Sequence, residues 1–251
     1  MSDALSAVVQ TMSADAARLA VLAQNLANVS TAGFKQDVPV SRGFSLQLSQ
    51  AAGADQAGAT YGGDQIYAAG ASLLQTVIDF KPGALRSTGN PFDLAIEGKG
   101  FFEVRDDAGA AYTRQGSFRL DVNGKLVTES GQAVQGQGGD IVIPSGRASI
   151  DKQGRVLEND KLIGQLRIIS FDNRVNLTRS GNGLFVADGQ PSGQADPAMA
   201  VRQGFLEASN VSSAKEMIRM IETMRHFETG QKVVQAYDAM LDRVMSKLGE
   251  F

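Results

Sequence analysis

Residues 5–29 read LSAVVQTMSADAARLAVLAQNLANV, and their apolar side chains recur every seven positions. One row comprises Leu5, Met12, Leu19 and Leu26. A companion row, offset by three residues, comprises Val8, Leu22 and Val29, with Asp15 as its polar member. Alanine and polar residues fill the positions between, so the stretch predicts a helix with the narrow apolar stripe of a coiled coil. We expect this helix to end near Gly33, because glycine is favoured just past helix ends.

The C-terminal segment has the same character. From Leu206 onward it contains no proline and only two glycines, Gly230 and Gly249, which predicts a second long helix. Ser213 and Glu216 have the spacing of a capping box at its start. Apolar residues then recur at helical spacing: Met217, Met220, Ile221, Met224, Phe227, Val234, Tyr237, Leu241, Val244 and Leu248. Gly230 interrupts the stripe, which indicates either a weak point or a close approach of another helix.

The middle of the chain predicts β structure. All six prolines lie there, and short apolar runs such as residues 92–96, 101–104 and 166–171 alternate with turn residues. Asp121 and Asp151 are each followed three residues later by glycine, between strand-like runs, which indicates hairpins. The predicted fold class is α+β, with N- and C-terminal α-helices forming a coiled-coil-like layer and a central β-rich domain of hairpins.

Four segments are predicted along the chain. Residues 1–35 form an N-terminal assembly helix, residues 81–205 the central β domain and residues 206–251 a C-terminal assembly helix. Residues 36–80 form a connector that is partly disordered, since residues 49–72 are rich in Ala, Gly and Gln. We therefore expect residues 49–72 to be a loosely ordered connector.

The two helical ends are expected to need partners. An isolated helix of about 25 residues is marginal in water, and a narrow stripe gains only part of its burial from one small domain. We therefore expect the ends to pair with each other, with other subunits, or both. The predicted assembly residues are Leu5, Met12, Leu19, Leu22, Leu26, Met217, Ile221, Met224, Val234, Leu241 and Leu248. Changing Leu22 or Leu241 to Asp should abolish assembly and leave the β domain folded.

Composition argues against several classes of protein. The net charge is −3 and the Lys and Arg residues are scattered, which argues against nucleic-acid binding. The absence of cysteine excludes disulfides, thiol nucleophiles and Cys-ligated zinc. The N-terminus has no cationic region followed by an unbroken apolar one, so a cleaved secretory signal is not expected. No apolar stretch approaches about 20 residues, so membrane insertion is not expected either.

No catalytic, cofactor or metal site is predicted. The single histidine, His226, has no second histidine or cysteine to share a metal ion with, and we interpret it as a surface or packing residue. Glu97 and Glu103 have the residue types of a glycosidase carboxylate pair. They lie six residues apart in strand-like sequence, and two solvated acids is the simpler interpretation.

Three blocks of the sequence resemble the flagellar rod, hook and hook-associated proteins. The first is residues 25–35, NLANVSTAGFK, which is similar to the N-terminal signature of that family. The second comprises residues 88–102 and 112–120, and the third is residues 206–211 with the helix that follows. The motif residues of the first block are Asn25, Leu26, Ala27, Asn28, Gly33 and Phe34.

This resemblance implies a structural subunit of the flagellar basal-body rod that transmits torque across the periplasm. It implies partners among other rod subunits and copies of the same chain, and export by the flagellar type III apparatus without a cleaved signal. It also implies terminal helices in an inner layer of the rod. Within the family, residues 131–144 and 225–228 are more similar to the proximal rod type than to the distal type.

Three alternatives stay open from the sequence. A distal rod or hook-type axial protein is the nearest. A secreted β-rich module that binds glycan is a second, and it predicts that the β domain binds ligand without the helices. A peptidoglycan hydrolase is the third, and it predicts turnover that Glu97→Gln or Glu103→Gln abolishes.

Overall fold

A computed structural model describes residues 2–41, 74–106, 109–171, 176–188 and 199–248. Residues 49–72, the predicted connector, lie outside the described residues. Contacts divide the chain into two compact units. The helical unit comprises the described parts of residues 1–27, 36–79 and 211–251, and the β unit comprises those of residues 28–35 and 80–210. The domain bounds predicted from the sequence stay a prediction, since contacts within one chain do not establish which segments fold independently.

The helical unit contains two long helices, α1 (Ser2–Ala27) and α2 (Ser213–Leu248), which pack against each other. It also contains an antiparallel ribbon of β1 (Gln36–Ser41) and β2 (Leu74–Asp79). The ribbon contacts α1, with Asp37 buried and Val40 and Val77 exposed.

Neither of the two described helices carries an apolar stretch long enough to cross a lipid bilayer.

The β unit consists of short, mostly antiparallel strands. They are β3 (Leu85–Ser87), β4 (Leu94–Glu97), β5 (Phe101–Asp106), β6 (Gly109–Thr113), β7 (Phe118–Leu120), β8 (Leu126–Thr128), β9 (Ala133–Gly136), β10 (Gly139–Asp140), β11 (Ser149–Ile150), β12 (Arg155–Glu158), β13 (Lys161–Gln165), β14 (Ile168–Ile169), β15 (Asn176–Gly181), β16 (Leu184–Asp188), β17 (Ala200–Gln203) and β18 (Phe205–Glu207). The main sheet has the order β15-β16-β6-β5-β9-β8-β7, with β10 on β9 and β14 on β5. Smaller sheets pair β11-β12-β13, β17-β4 and β18-β3.

Apolar side chains from these strands form one core. Leu94, Phe102, Val104, Leu126 and Ile143 are at or near zero exposure within it, and the rings of Phe102 and Phe118 meet edge to face at 5.2 Å between centroids. The predicted fold class is confirmed: two terminal helices flank a central β-rich region built from antiparallel hairpins.

The two hairpin signals form equivalent turns. The Asp121 carboxylate accepts hydrogen bonds from the backbone N–H groups of Asn123 and Lys125 between β7 and β8. The Asp151 carboxylate accepts from those of Gln153 and Arg155 between β11 and β12. The glycine that closes each turn has a φ of 75°, which glycine adopts without steric cost. These backbone hydrogen bonds lower the pKa of the Asp121 carboxyl.

Candidate assembly interface

The helices α1 and α2 run antiparallel, as three contacts along their length show. Asn25 near the end of α1 bonds Glu216 near the start of α2. Asp15, ten residues before Asn25 in α1, contacts the ring of His226, ten residues after Glu216 in α2. A Cβ placed on Gly230 would lie 2.8 Å from Met12 Cγ and 3.9 Å from Val8, so the absence of a side chain at Gly230 permits this close approach. Of the two predictions for Gly230, the structure supports the close helix–helix approach.

The face of α2 that meets α1 is a heptad seam. Its members alternate in steps of four and three residues and are buried or half-buried, whereas most neighbouring positions are exposed: Glu216, Met220, Thr223, Phe227, Gly230, Val234 and Tyr237. Alternating steps of four and three keep one narrow face turned toward a partner helix. The predicted coiled-coil-like pairing of the terminal segments is therefore present within one chain.

A second apolar surface of α2 is left uncovered. It comprises Met217, Ile218, Ile221 and Met224, which are 49–57% exposed; we name it the outer stripe. These positions lie on a different face of the helix from the seam, since each follows a seam residue by only one or two positions. Among the described residues, the seam to α1 does not cover the outer stripe.

A third apolar surface arises because the helices differ in length. α2 has 36 residues and α1 has 26, an excess of ten residues or about 15 Å. Because the start of α2 is aligned with the end of α1, the excess extends past the described start of α1. The segment bears Met240, Leu241, Val244 and Met245, all 44–71% exposed; we name it the overhang. Leu241 and Val244 continue the four-and-three spacing of the seam beyond Tyr237.

The predicted assembly residues fall into distinct environments. Leu22 is 1% exposed, and Leu5, Met12, Leu19, Leu26 and Val234 are half-buried. Met217, Ile221 and Met224 lie in the outer stripe, and Leu241 lies in the overhang. The side chain of Leu248 lies outside the described residues. Sequence periodicity had merged seam and outer stripe into one apolar face, and the structure separates them. Contact with another subunit stays a prediction for all of these residues.

A buried polar network joins the helices to the ribbon. The Asn25 side chain is fully buried. Its Nδ2 donates to the Asp37 carbonyl oxygen at 2.7 Å and to Glu216 Oε2 at 3.1 Å, while its Oδ1 accepts from the Asp37 N–H at 2.9 Å. Glu216 Oε1 accepts from Gln36 at 2.8 Å and from Arg219 at 3.0 Å. The network fixes the alignment of α1, β1 and α2, because a shift of either helix would break several bonds at once.

The capping box predicted for Ser213 and Glu216 is wrong. The Glu216 N–H donates to the Ser212 carbonyl at 3.0 Å, so Ser212 rather than Ser213 holds the capping position. The Glu216 carboxylate instead reaches Asn25 and Gln36, because both of these lie against the first turn of α2. The carboxylate thereby accepts from Asn25, Gln36 and Arg219 instead of from one backbone N–H.

The remaining motif residues have separate structural roles. Leu26 and Ala27 end α1, and Asn28 accepts a hydrogen bond from the Thr31 hydroxyl at 3.2 Å. Gly33 has a φ of 67°, and a Cβ there would lie 2.4 Å from the Arg114 carbonyl group. Phe34 is buried, and the Arg179 guanidinium lies over its ring at 4.6 Å.

The β unit contains a buried ionic network that the sequence did not predict. Lys35 Nζ donates to Glu207 Oε1 at 2.6 Å, and Arg114 Nη1 donates to Glu207 Oε2 at 3.1 Å. The side chains of Lys35, Arg114 and Glu207 are 1%, 5% and 1% exposed. Glu207 Oε1 also accepts from the Gly83 N–H at 2.8 Å. This network binds three distant chain segments to one carboxylate.

Backbone carbonyls complete the coordination of the two cations. Lys35 Nζ donates to the Lys81 carbonyl at 3.0 Å, and Arg114 donates to the Ile96 and Gly98 carbonyls at 3.2 Å and 2.7 Å. Burial lowers the pKa of the Arg114 guanidinium, and the adjacent Glu207 carboxylate acts in the opposite direction. A guanidinium stays charged even so, and the pair is held in the low-dielectric interior.

A signal for this network existed in the sequence. Lys35, Arg114 and Glu207 each lie inside one of the three blocks that resemble the flagellar axial proteins. Lys, Arg and Glu are seldom fully buried unless they are paired, but nothing in the linear order shows which of them are buried or which of them meet.

The residues considered for chemistry are engaged in ion pairs. Glu97 Oε2 accepts a hydrogen bond from Arg202 at 2.7 Å in an exposed pair, and buried Glu103 forms an ion pair with Arg167 at 3.2 Å. The pKa of Tyr112 is raised by its burial first and then by the charge of Glu103. His226 is largely exposed and contacts Asp15. Across the described residues, no three His, Asp or Glu side chains cluster as a metal site would require.

Comparison with known proteins matches three family models in chain order. Residues 5–35 match the flagella basal body rod protein family, and residues 95–157 match the flagellar hook protein FlgE/F/G D1 domain. Residues 202–247 match the flagellar basal body rod FlgEFG protein C-terminal family. The first and third models cover most of α1 and α2, and the second covers part of the β unit.

Whole-length relatives agree with these matches. The chain is 35% identical to the flagellar basal-body rod protein FlgG of Bacillus subtilis, covering 91% of this chain and 92% of that protein. It is 30% identical to the flagellar basal-body rod protein FlgF of Mesorhizobium japonicum over 99% of both chains, and 30% identical to FlgF of Caulobacter vibrioides over 92% of both. The chain belongs to the flagellar basal-body rod protein family and is a structural rod subunit.

Proposed function

We propose that this rod subunit polymerises through its terminal helices, with copies of itself and other rod subunits covering the outer stripe and the overhang. The observation that carries the proposal is the uncovered apolar surface of α2. Its members project from a helix that is already packed on one side against α1. Exposed contiguous apolar surface on a soluble chain is typical of protein–protein contact sites.

The magnitude favours many weak contacts over one strong one. Full burial of a large apolar side chain stabilises by about 1.5–3 kcal/mol. The four outer-stripe residues are already about half covered, so a partner that covers the rest contributes roughly 3–6 kcal/mol. Ordering and association costs reduce this further. One such contact corresponds to no better than about millimolar affinity, so a free subunit stays monomeric and a polymer with several contacts per subunit is stable.

The arrangement of the surfaces favours an open polymer. The outer stripe lies near the start of α2 and the overhang lies at its end, so the two surfaces are different patches of one molecule. A contact between different patches is heterologous, and it generates a filament whenever the rotation does not close a ring. A rod that transmits torque requires such open, repeated contacts.

The cellular setting follows from family membership as part of the same proposal. We place the subunit in the part of the rod that crosses the periplasm, exported by the flagellar type III apparatus without a cleaved signal. Neither catalysis, nucleic-acid binding nor membrane insertion belongs to this function. The exposed ion pair of Glu97 and the single largely exposed histidine are compatible with a purely structural role.

We assign the subunit to the proximal, FlgF-type position. Residues 131–144 and Arg225–Glu228 support this position, as does similarity to two FlgF proteins over nearly their full length. The 35% identity to FlgG proteins makes the distal position the alternative. Locating the protein in isolated basal bodies by tagging and electron microscopy separates the two, and a tag found only in the distal rod would overturn the proximal assignment.

Substitutions in α2 test the assembly mechanism. Ile221→Asp and Leu241→Asp place a charge in the outer stripe and the overhang, and each should abolish motility and incorporation into basal bodies. Gln235→Asp, at an exposed polar position of the same helix, is the matched control and should assemble normally. Leu22→Asp is a less direct test, because that side chain is buried within the chain and its loss also disturbs the seam.

Circular dichroism of each purified variant verifies that the helices and β structure are retained. Normal motility of a folded Ile221→Asp, Leu241→Asp double variant would contradict assembly through these surfaces.

A further inference from the structure

The methionines of the chain are distributed unequally between protected and exposed sites. Met12 and Met220 lie half-buried in the seam between α1 and α2. In contrast, Met217 and Met224 lie in the outer stripe at 49% exposure each, and Met240 and Met245 lie in the overhang at 53% and 71%. The chain contains no cysteine, so these thioethers are the reactive sulfur groups presented to solvent by α2.

We propose that Met217, Met224, Met240 and Met245 form a modification site for hydroperoxides, and that their oxidation blocks assembly of the subunit. The inference rests on the proposed function, since the same four side chains contribute to both apolar surfaces. In the reaction, the thioether sulfur attacks one oxygen of hydrogen peroxide. The S–O bond forms as the O–O bond breaks, the sulfur is oxidised by two electrons to the sulfoxide, and the peroxide is reduced to water.

The sulfoxide changes the character of the surface. It converts a flexible apolar side chain into a polar one, and burial of a polar group without a hydrogen-bonding partner is unfavourable. The outer stripe would then keep only Ile218 and Ile221 as apolar residues, and the overhang only Leu241 and Val244. Because assembly depends on several weak apolar contacts, loss of two residues from each surface acts on every copy in the polymer.

Packing predicts the order in which the methionines react. Met12 packs so closely against α2 that a Cβ on Gly230 would lie 2.8 Å from its Cγ and 3.3 Å from its sulfur. Peroxide therefore has less access to Met12 than to the methionines of the outer stripe and the overhang. Thioether oxidation follows exposure, so Met245 should react first and Met12 among the last.

The experiment uses the full chain as a purified subunit treated with hydrogen peroxide, followed by peptide mass spectrometry at successive times. We expect sulfoxide at Met217, Met224, Met240 and Met245 at least about tenfold faster than at Met12 and Met220. We also expect the oxidised subunit to need a roughly tenfold or greater concentration to polymerise. Methionine sulfoxide reductases should restore assembly.

A variant with all four exposed methionines changed to Leu provides the control. Leucine has similar size and polarity to methionine, so this variant should assemble and resist peroxide. Equal oxidation rates at seam and exposed methionines would overturn the site assignment. Normal assembly of a fully oxidised subunit would overturn the effect on assembly. Failure of the untreated subunit to polymerise, with the oxidation order as expected, would instead overturn the proposed function and with it the consequence of oxidation.

Discussion

Glu207→Gln should destabilise the β unit severely. The Glu207 carboxylate accepts hydrogen bonds from the Lys35 ammonium and the Arg114 guanidinium, and it also accepts one from the Gly83 N–H. Glutamine has nearly the same shape but no charge, and one end of its amide is a donor. In either orientation, that N–H₂ group faces Lys35 and Gly83 or faces Arg114, all of which are donors. The two buried cations then lose the negative charge that they share.

The structure sets the size of the effect. Lys35 and Arg114 are 1% and 5% exposed, so water cannot replace the lost carboxylate. Removal of one partner from a buried ion pair costs about 3–5 kcal/mol. Every 1.4 kcal/mol is tenfold in an equilibrium constant, so the population of the open β unit should rise by roughly two to three and a half orders of magnitude.

Hydrogen exchange followed by mass spectrometry measures this population strand by strand. Protection of the amides in β4, β5 and β18 should fall by the stated amount wherever their exchange requires opening of the whole β unit. Glu97→Gln is the matched control: it removes the same group from an arginine pair whose side chains are 48% and 52% exposed. Such a pair contributes at most about 1 kcal/mol. If Glu207→Gln lowers protection no more than Glu97→Gln does, the ionic network is not what holds the three segments together.

Three further predictions concern single positions. Gly33→Ala should lower the melting temperature of the β unit more than Gly89→Ala does. Both residues have positive φ, but a Cβ at Gly33 would lie 2.4 Å from backbone atoms, whereas nothing lies within 4 Å of a Cβ at Gly89. Equal losses in melting temperature would contradict the clash. Asn25→Asp should destabilise the pairing of α1 and α2 by about 2–4 kcal/mol, because it replaces a donor with an acceptor against the buried Glu216 carboxylate. Far-UV circular dichroism during thermal unfolding measures this loss. An unchanged melting temperature would count against the network. Hydrogen bonds from the side chains of Gln135, the larger cause, and Lys125 lower the pKa of Asp140. The stability that its ionised form contributes is therefore fully present above about pH 4. It is lost as the pH falls through the lowered pKa. In the Asp140→Asn variant, the free energy of unfolding obtained with urea should therefore fall less steeply as the pH is lowered. An unchanged pH dependence would refute this.

Local patterns in the sequence predicted the two helices and a β-rich middle, but not the ribbon of β1 and β2, which lies at the two ends of the predicted connector. The heptad of residues 5–29 and the glycine-poor C-terminal segment are confirmed as α1 and α2. The spacing of Asp121 and Asp151 from their glycines is confirmed as two equivalent hairpin turns. These features depend on interactions between residues a few positions apart, and the identity of the residues fixes such interactions. Family membership was likewise predictable, because its motifs are contiguous.

Contacts between distant segments were decided only by the tertiary structure. Periodicity identified the apolar positions of α2, but it did not show that Met220 and Phe227 face α1 while Met217 and Met224 remain exposed. The capping role assigned to Glu216 failed for a related reason, since its buried carboxylate accepts from Asn25 and Gln36, which lie far from it in the sequence.

The ionic network shows most clearly the difference between what local sequence predicts and what the tertiary structure decides. Lys35, Arg114 and Glu207 are separated by tens of residues, and a charged residue has no sequence period that identifies its partner. Hydrophobic patterns and turn residues act through local geometry, so the sequence alone determined the helices, the hairpins and the family. Burial of charge requires a specific counter-charge in three dimensions, so only the folded chain decided which residues hold it together and which apolar surface it leaves for other subunits.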